Sequence, residues 1–269
     1  MQRTAGTLLE NSSGPWSIAG IRDCWLGGAD HTAADCDIAE LILVGTPHLA
    51  HMVRVYRAYL DRVVRYLVSV GVRQFLDLGS GLPTMGNVHE VTQSLTPGCR
   101  VVYVDNDWGV VATSQELLAG NRDAAIVLAD LRQPAQVFDA TARRGLLDLG
   151  APVAVLATDV LHHLPDTDNP AELIAAYMNA VCPGSYMSIA HTGEDQSLVT
   201  GLDSFHDFYH IPVPPLTFRN PTQITKFFDR LGLVEPGIVP VPLWRPELNE
   251  SLVAHPETFP AHCGLGRKL

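Results

Sequence analysis

The sequence predicts an α/β protein with a doubly wound parallel sheet, a helical extension ahead of it and an antiparallel hairpin behind it. Three observations support this. From Gln74 onward, short apolar runs alternate with helix-length runs, the pattern of βα units. The apolar runs stop at an acidic residue or a glycine-rich turn, and ligands collect at such strand ends in open α/β sheets. Residues 31–70 instead carry Val53, Tyr56, Leu60, Val63, Val64 and Leu67 at helical spacing, an apolar stripe that reads as packing against a core.

In chain order, Gln74–Leu78 is the first strand, Asn87–Leu95 a helix and Arg100–Asp105 the second strand. Val110–Ala119 is the next helix, and Ala125–Ala129 is a strand ending at Asp130. Val153–Thr158 is a strand ending at Asp159, and helix Ala171–Val181 leads into a strand over Tyr186–His191. The region 196–220 holds His206, Tyr209, His210 and a proline-rich run from Ile211, too irregular for a sheet element, and reads as an insertion forming a substrate wall. Pro221 opens a helix reaching Leu231, and Val234–Val241 with Ala261–Arg267 reads as the terminal hairpin. The expected domains are a helical extension or lid over 1–70 and a catalytic domain over 71–269.

Composition narrows the function. The chain has 269 residues, 46% of them hydrophobic, enough for one large domain with additions or two small ones. Eighteen Lys and Arg face 29 Asp and Glu, a formal net charge of -11, with no basic tract of the kind a nucleic-acid backbone requires. A small-molecule substrate is therefore expected, and no nucleic-acid partner. No apolar run has signal-peptide or membrane-spanning length, which predicts a cytoplasmic protein without a membrane partner. The five cysteines Cys24, Cys36, Cys99, Cys182 and Cys263 are scattered without a C-x-x-C pair, so neither a disulfide framework nor a zinc ribbon is expected.

The chemistry concentrates in Phe75-Leu76-Asp77-Leu78-Gly79-Ser80-Gly81-Leu82-Pro83-Thr84. Gly79, Ser80 and Gly81 let the backbone approach a ligand because glycine lacks the Cβ that would block it. Asp77 repels phosphate oxygens, and Pro83 removes a backbone N–H that would help cradle an anion, so a dinucleotide fits poorly. Asp77 attracts an ammonium instead. S-adenosylmethionine (SAM) carries adenosine, an α-ammonium and a sulfonium but no phosphate, and suits this turn.

Other candidates follow the strand ends. Asp105 sits where a ribose diol is bound, with Asn106 beside it, and its competing use is as a helix cap near Trp108. Asp130 can accept from an adenine amino group while the backbone of Leu131 donates to the ring, or else cap a turn before Pro134. Thr158, Asp159, His162 and His163 occupy the loop facing the sulfonium carbon. His162 or His163 can act as a base, with Tyr209 or His210 orienting an acceptor, since imidazole titrates near neutral pH. His206 and His210 have i, i+4 spacing that would suit a metal on a helix, but no third ligand is visible and no metal is expected. Gly27-Gly28, followed by Ala29-Asp30-His31, suggests that Gly28 and Asp30 lie close to the cofactor, or else form a plain interhelix turn.

The glycine turn running into Leu82-Pro83-Thr84, with Asn87-Val88-His89-Glu90, Val101–Asp107, Ala129–Arg132 and Pro183-Gly184-Ser185-Tyr186, resembles the actinobacterial SAM-dependent methyltransferase family long catalogued as a domain of unknown function. The resemblance spans nearly the whole chain and includes the leader Leu26-Gly27-Gly28-Ala29-Asp30-His31. It implies a class I methyltransferase-like fold that binds SAM, with the leader as a lid. The chain departs from the family pattern at Cys24, Trp25, Ala29 and His31, and in the adjacent His162 and His163.

Three activities are consistent with these residues. SAM can donate a methyl group to a small metabolite. It can itself be the substrate, cyclising to a product such as 1-aminocyclopropane-1-carboxylate with release of methylthioadenosine. A non-catalytic SAM sensor is the third, and an NAD enzyme is opposed by Asp77 and Pro83.

Overall fold

The structure is a computed structural model describing residues 16–211, 213–247 and 253–269. The chain divides into two compact units, one formed by the residues up to Arg54 with 195–215, the other by 55–194 with 216–269.

The first unit is helical. Helices α1 (Ile18–Leu26), α2 (Ala33–Gly45) and α8 (Gln196–Tyr209) share a core of Ile21, Trp25, Ile38, Leu41 and Phe205. Helix α1 ends at Gly27, whose φ of 77° is the left-handed conformation glycine adopts without strain. Thr32 then caps α2 through a reciprocal box with Asp35. This tight turn joins Cys24 to Cys36 in a disulfide, Cα atoms 5.7 Å apart, a single bridge where the scattered cysteines led to no expected disulfide framework. An odd cysteine count concealed a pair that only the helix–turn–helix geometry brings together. The 196–209 part of the expected insertion is helix α8, and Gly201 lets it approach α2, because a Cβ there would meet the Gly45 carbonyl.

The second unit is the sheet. Helix α3 (Leu49–Ser69) begins after Pro47, and its residues from Val55 onward belong here. Its Val63, Val64 and Leu67 are fully buried, each contributing roughly 1.5–3 kcal/mol. Strands β1 (Gln74–Leu78), β2 (Arg100–Asp105), β3 (Ala124–Leu128), β4 (Ala154–Thr158) and β5 (Tyr186–Thr192) pair in parallel in the order β3-β2-β1-β4-β5. Their connections carry α4 (Val88–Leu95), α5 (Trp108–Leu117), α6 (Pro134–Ala142) and α7 (Pro170–Ala180). Helix α6 is not anticipated from the sequence. The winding reverses between β1 and β4, so the crevice outside the ends of β1, β2 and β4 is the topological switch point.

The C-terminal region refines the expected hairpin. Helix α9 (Pro221–Thr225) stops short of the expected Leu231, and Arg230 at φ 68° turns the chain into β6 (Leu231–Leu233). Strand β8 (Ala261–Lys268) runs antiparallel to β5 and pairs on its other side with β6 and with β7 (Val239–Pro240). Only Val239–Pro240 of the expected strand 234–241 is extended pairing, because residues 234–237 form a turn closed by Gly237 N–H donating to the Val234 carbonyl.

Candidate active site

Two clusters form at the strand ends of the sheet unit. In the first, the chain leaves β1 with Gly79 and Gly81 both at φ 63°. Gly79 N–H and Ser80 N–H donate to the Val104 carbonyl at 2.8 and 3.1 Å, pinning the turn to β2. A side chain at Gly79 would strike Val160, so this position requires glycine for both conformation and space. Asp105 at the end of β2 accepts from Gly81 N–H at 2.9 Å and Asp107 N–H at 3.0 Å. Asp107, not Asp105, caps α5, accepting from Gly109 and Val110. The cap role that competed for Asp105 thus falls to its neighbour, and a carboxylate with four lone-pair directions retains capacity for a diol.

Asp77, beneath the turn, is only 5% exposed. Burial pushes its carboxyl up to about 7, with Arg57 opposing and Asp105 adding to the shift. Burial also raises Asp105. Arg57 of α3 donates through Nη1 to Asn87 Oδ1, and Asn87 Nδ2 donates to the Leu82 carbonyl at 3.2 Å. Sequence reasoning missed Arg57, which lies between positions of an apolar stripe and is brought to the turn only by tertiary packing. Next to Asp77 in register, Tyr103 accepts from His89 N–H at 2.9 Å and meets His89 Nδ1 at 2.8 Å.

The second cluster lies at the ends of β4 and β5. Asp159 follows β4 at φ 56°, the left-handed conformation a non-glycine residue enters at a cost. A 3-10 turn then carries His162 and His163, whose Nε2 atoms are 3.1 Å apart. That contact needs one ring to donate an N–H and the other to accept it. His162 is buried, with Nδ1 3.4 Å from Asp159 Oδ1 and 3.5 Å from Thr192 Oγ1, while His163 is half-buried. Tyr56 OH lies 2.8 Å from Thr192 Oγ1. The stripe containing Tyr56 is buried as expected, yet its hydroxyl enters this network. The signal for Thr192 was its place at the end of β5, beside the end of β4.

A buried clamp holds the histidine loop. Arg219 donates to the carbonyls of Leu161 at 3.0 Å and Leu164 at 2.8 Å, and pairs with Asp166 at 2.7 Å. It also donates at 2.9 Å to His191 Nε2. Burial lowers His191 to about 4, so it stays neutral and accepts that bond.

The remaining sequence candidates sit as follows. Asp130 follows β3 but is held by Arg132, which pulls it below the usual carboxylate range, and Arg132 N–H donates to it at 2.9 Å. Leu131 uses its carbonyl to accept from Tyr177 at 2.8 Å. Asn106 is exposed. Thr158 Oγ1 is buried with no hydrogen-bond partner among the described residues. Gly28 and Asp30 belong to the helical unit, where the Asp23 carboxylate fills the space of a Gly28 side chain and accepts from Asp30 N–H at 3.0 Å. The glycine pair therefore has a local packing cause. Tyr209 and His210 end α8 in that same unit, His210 as its exposed left-handed cap, and His206 is exposed with Nδ1 2.9 Å from the Ile211 carbonyl.

A parallel sheet with a glycine turn after β1 and a carboxylate after β2 is the arrangement of a nucleoside-cofactor enzyme. Comparison with known proteins sharpens this. Residues 10–269 match the S-adenosyl methyltransferase family, and the chain belongs to it, a SAM-dependent methyltransferase with SAM as methyl donor. Its fold is similar to a DUF574 family protein from Streptomyces avermitilis, 33% identical with a TM-score of 0.84, over 94% of this chain and 98% of that one. It is also similar to a candidate methyltransferase from Thermobifida fusca, 34% identical with a TM-score of 0.83, over 97% of each chain. No curated protein matches the chain. Among the described residues no helix is long and apolar enough to cross a membrane.

Proposed function

We propose that the chain methylates a nucleophilic oxygen, nitrogen or carbon of a small-molecule acceptor, with the first cluster holding SAM and the second handling the acceptor. The observation that carries this is the pairing of the buried Asp77 beneath the glycine turn with Asp105 hung on the Gly81 amide. SAM fits these residues. Its ammonium would be the counter-cation that favours the ionised form of Asp77, its carboxylate would face Arg57, and its ribose diol would take the open positions on Asp105. The orphaned Thr158 hydroxyl supplies one more polar contact at the switch point. Asp130, Leu131 and Asn106 would line the base, with Asp130 sharing its oxygens between Arg132 and the adenine.

When bound, SAM supplies an activated methyl group, so in-line positioning provides much of the rate. The chain's own residues then need to orient the acceptor and remove its proton. His163, the less buried ring, accepts that proton at Nδ1, the nitrogen that His162 does not engage across the 3.1 Å contact. Asp159 and Thr192, the latter fixed by Tyr56, hold His162 Nδ1 and act as positioning residues.

The test is to incubate the protein with SAM and a panel of phenols, amines and carboxylic acids, resolving products by mass spectrometry. S-adenosylhomocysteine formed only with an acceptor is the expected result. Methylthioadenosine released from SAM alone would overturn methyl transfer in favour of cyclisation.

A further inference from the structure

We propose that the turn joining α1 to α2 is a binding site for a zinc-class divalent cation, built from Cys24, Cys36 and His31 once the disulfide is reduced. Two sulfurs and one imidazole nitrogen lie within 4.8 Å of one another, all three residues half-buried and so reachable by an ion. In a tetrahedral zinc site, bonds of about 2.3 Å to sulfur and 2.0 Å to nitrogen put ligand atoms roughly 3.3–3.8 Å apart. Small side-chain rotations therefore suffice. The backbone already holds the ligands together, since the Gly27 cap and the Thr32–Asp35 box fix both helix ends and the two cysteine Cα atoms are 5.7 Å apart.

The surroundings have the chemistry of a metal site. Asp23, only 2% exposed, lies 2.8 Å from His31 Nδ1. A carboxylate on one imidazole nitrogen fixes the tautomer and leaves the other for a metal, the usual outer partner of a ligating histidine. Two thiolates and an imidazole favour zinc, or cobalt in its place, over magnesium or calcium. Three protein ligands leave a fourth position for water or a small ligand.

The disulfide and the metal use the same sulfurs and exclude each other. A phosphine reductant breaks the S–S bond and gives it two electrons, becoming phosphine oxide with oxygen from water, whose two protons form the thiols. Cation binding then displaces those thiol protons.

The experiment adds cobalt(II) anaerobically to the phosphine-reduced full chain and reads thiolate-to-cobalt charge-transfer absorption. Saturation near one equivalent is expected, with displacement by zinc. Cys182→Ser should keep the band, since Cys182 is a free cysteine outside the cluster. Asp23→Asn should weaken binding by about 10–100-fold, the usual effect of losing an outer partner. No band in the reduced wild type, or a band that persists in the Cys24→Ser/Cys36→Ser variant, would overturn the proposal. A second measurement needs no variant. Zinc should protect Cys24 and Cys36 from alkylation, read by peptide mass spectrometry and reversed by a chelator, and equal labelling with and without zinc would contradict the site.

Discussion

The two strand-end clusters of the sheet unit differ in how their parts are gathered. At β1 and β2, Asp77, Gly79, Gly81 and Asp105 lie on consecutive βα units, and their contacts are largely backbone amides meeting carboxylates. At β4 and β5, the working atoms belong to side chains from α3, the β4 loop, β5 and the Arg219 segment. A cofactor common to a family can be held by local backbone geometry. An acceptor specific to one chain is met by side chains that can change one at a time.

The largest expected effect separates the clusters. His163→Ala should lower kcat by about 10²–10⁴, the usual contribution of a general base, while SAM affinity stays within a few fold. Unchanged turnover in a kinetic assay would remove the base role. Asp105→Ala should weaken SAM binding by roughly 100-fold, since two charge-assisted hydrogen bonds of about 1.5 kcal/mol each are lost. Calorimetry with near wild-type affinity would refute the ribose assignment. Gly79→Ala should destabilise the fold by roughly 2–4 kcal/mol through its positive φ and the Val160 contact, seen as a lower Tm.

A smaller effect comes from pH. With Asp77 near 7 in the folded protein and lower when unfolded, its contribution to stability is full below the unfolded value and lost as pH rises to about 7. Over that window the ionised carboxylate gains in its attraction for an ammonium. SAM affinity should therefore rise with pH through about 7 in the wild type, and Asp77→Asn should flatten that rise while stabilising the ligand-free protein at pH 8. A pH-independent affinity in the wild type would sever Asp77 from the ammonium. The smallest effect belongs to Tyr56→Phe, which should lower kcat only about 3–10-fold, as expected for loss of one neutral hydrogen bond of about 1 kcal/mol, and shift the pH–rate profile. A profile identical to wild type would leave Tyr56 a packing residue.

Much of the first cluster is legible in the sequence because strand, turn and carboxylate follow one another along the chain. The limits of β1 and β2, Gln74–Leu78 and Arg100–Asp105, follow from the apolar runs themselves. Half of the second cluster is not legible. His162 and His163 stand out as a pair, but Tyr56 sits in a packing stripe and Thr192 is one hydroxyl at a strand end. Arg219 lies 58 residues beyond the Leu161 carbonyl it holds. Nothing local marks such partners, because only tertiary packing brings them together. The Cys24–Cys36 pair was hidden for the same reason, with 12 residues and a helix reversal between the sulfurs.

The division of labour between the clusters is tested most directly by calorimetric titration of SAM into wild type, Asp105→Ala and His163→Ala. Affinity lost in Asp105→Ala and retained in His163→Ala is the predicted result. Equal loss in both, or retention in both, would contradict the separation of a cofactor-holding cluster from an acceptor-handling one.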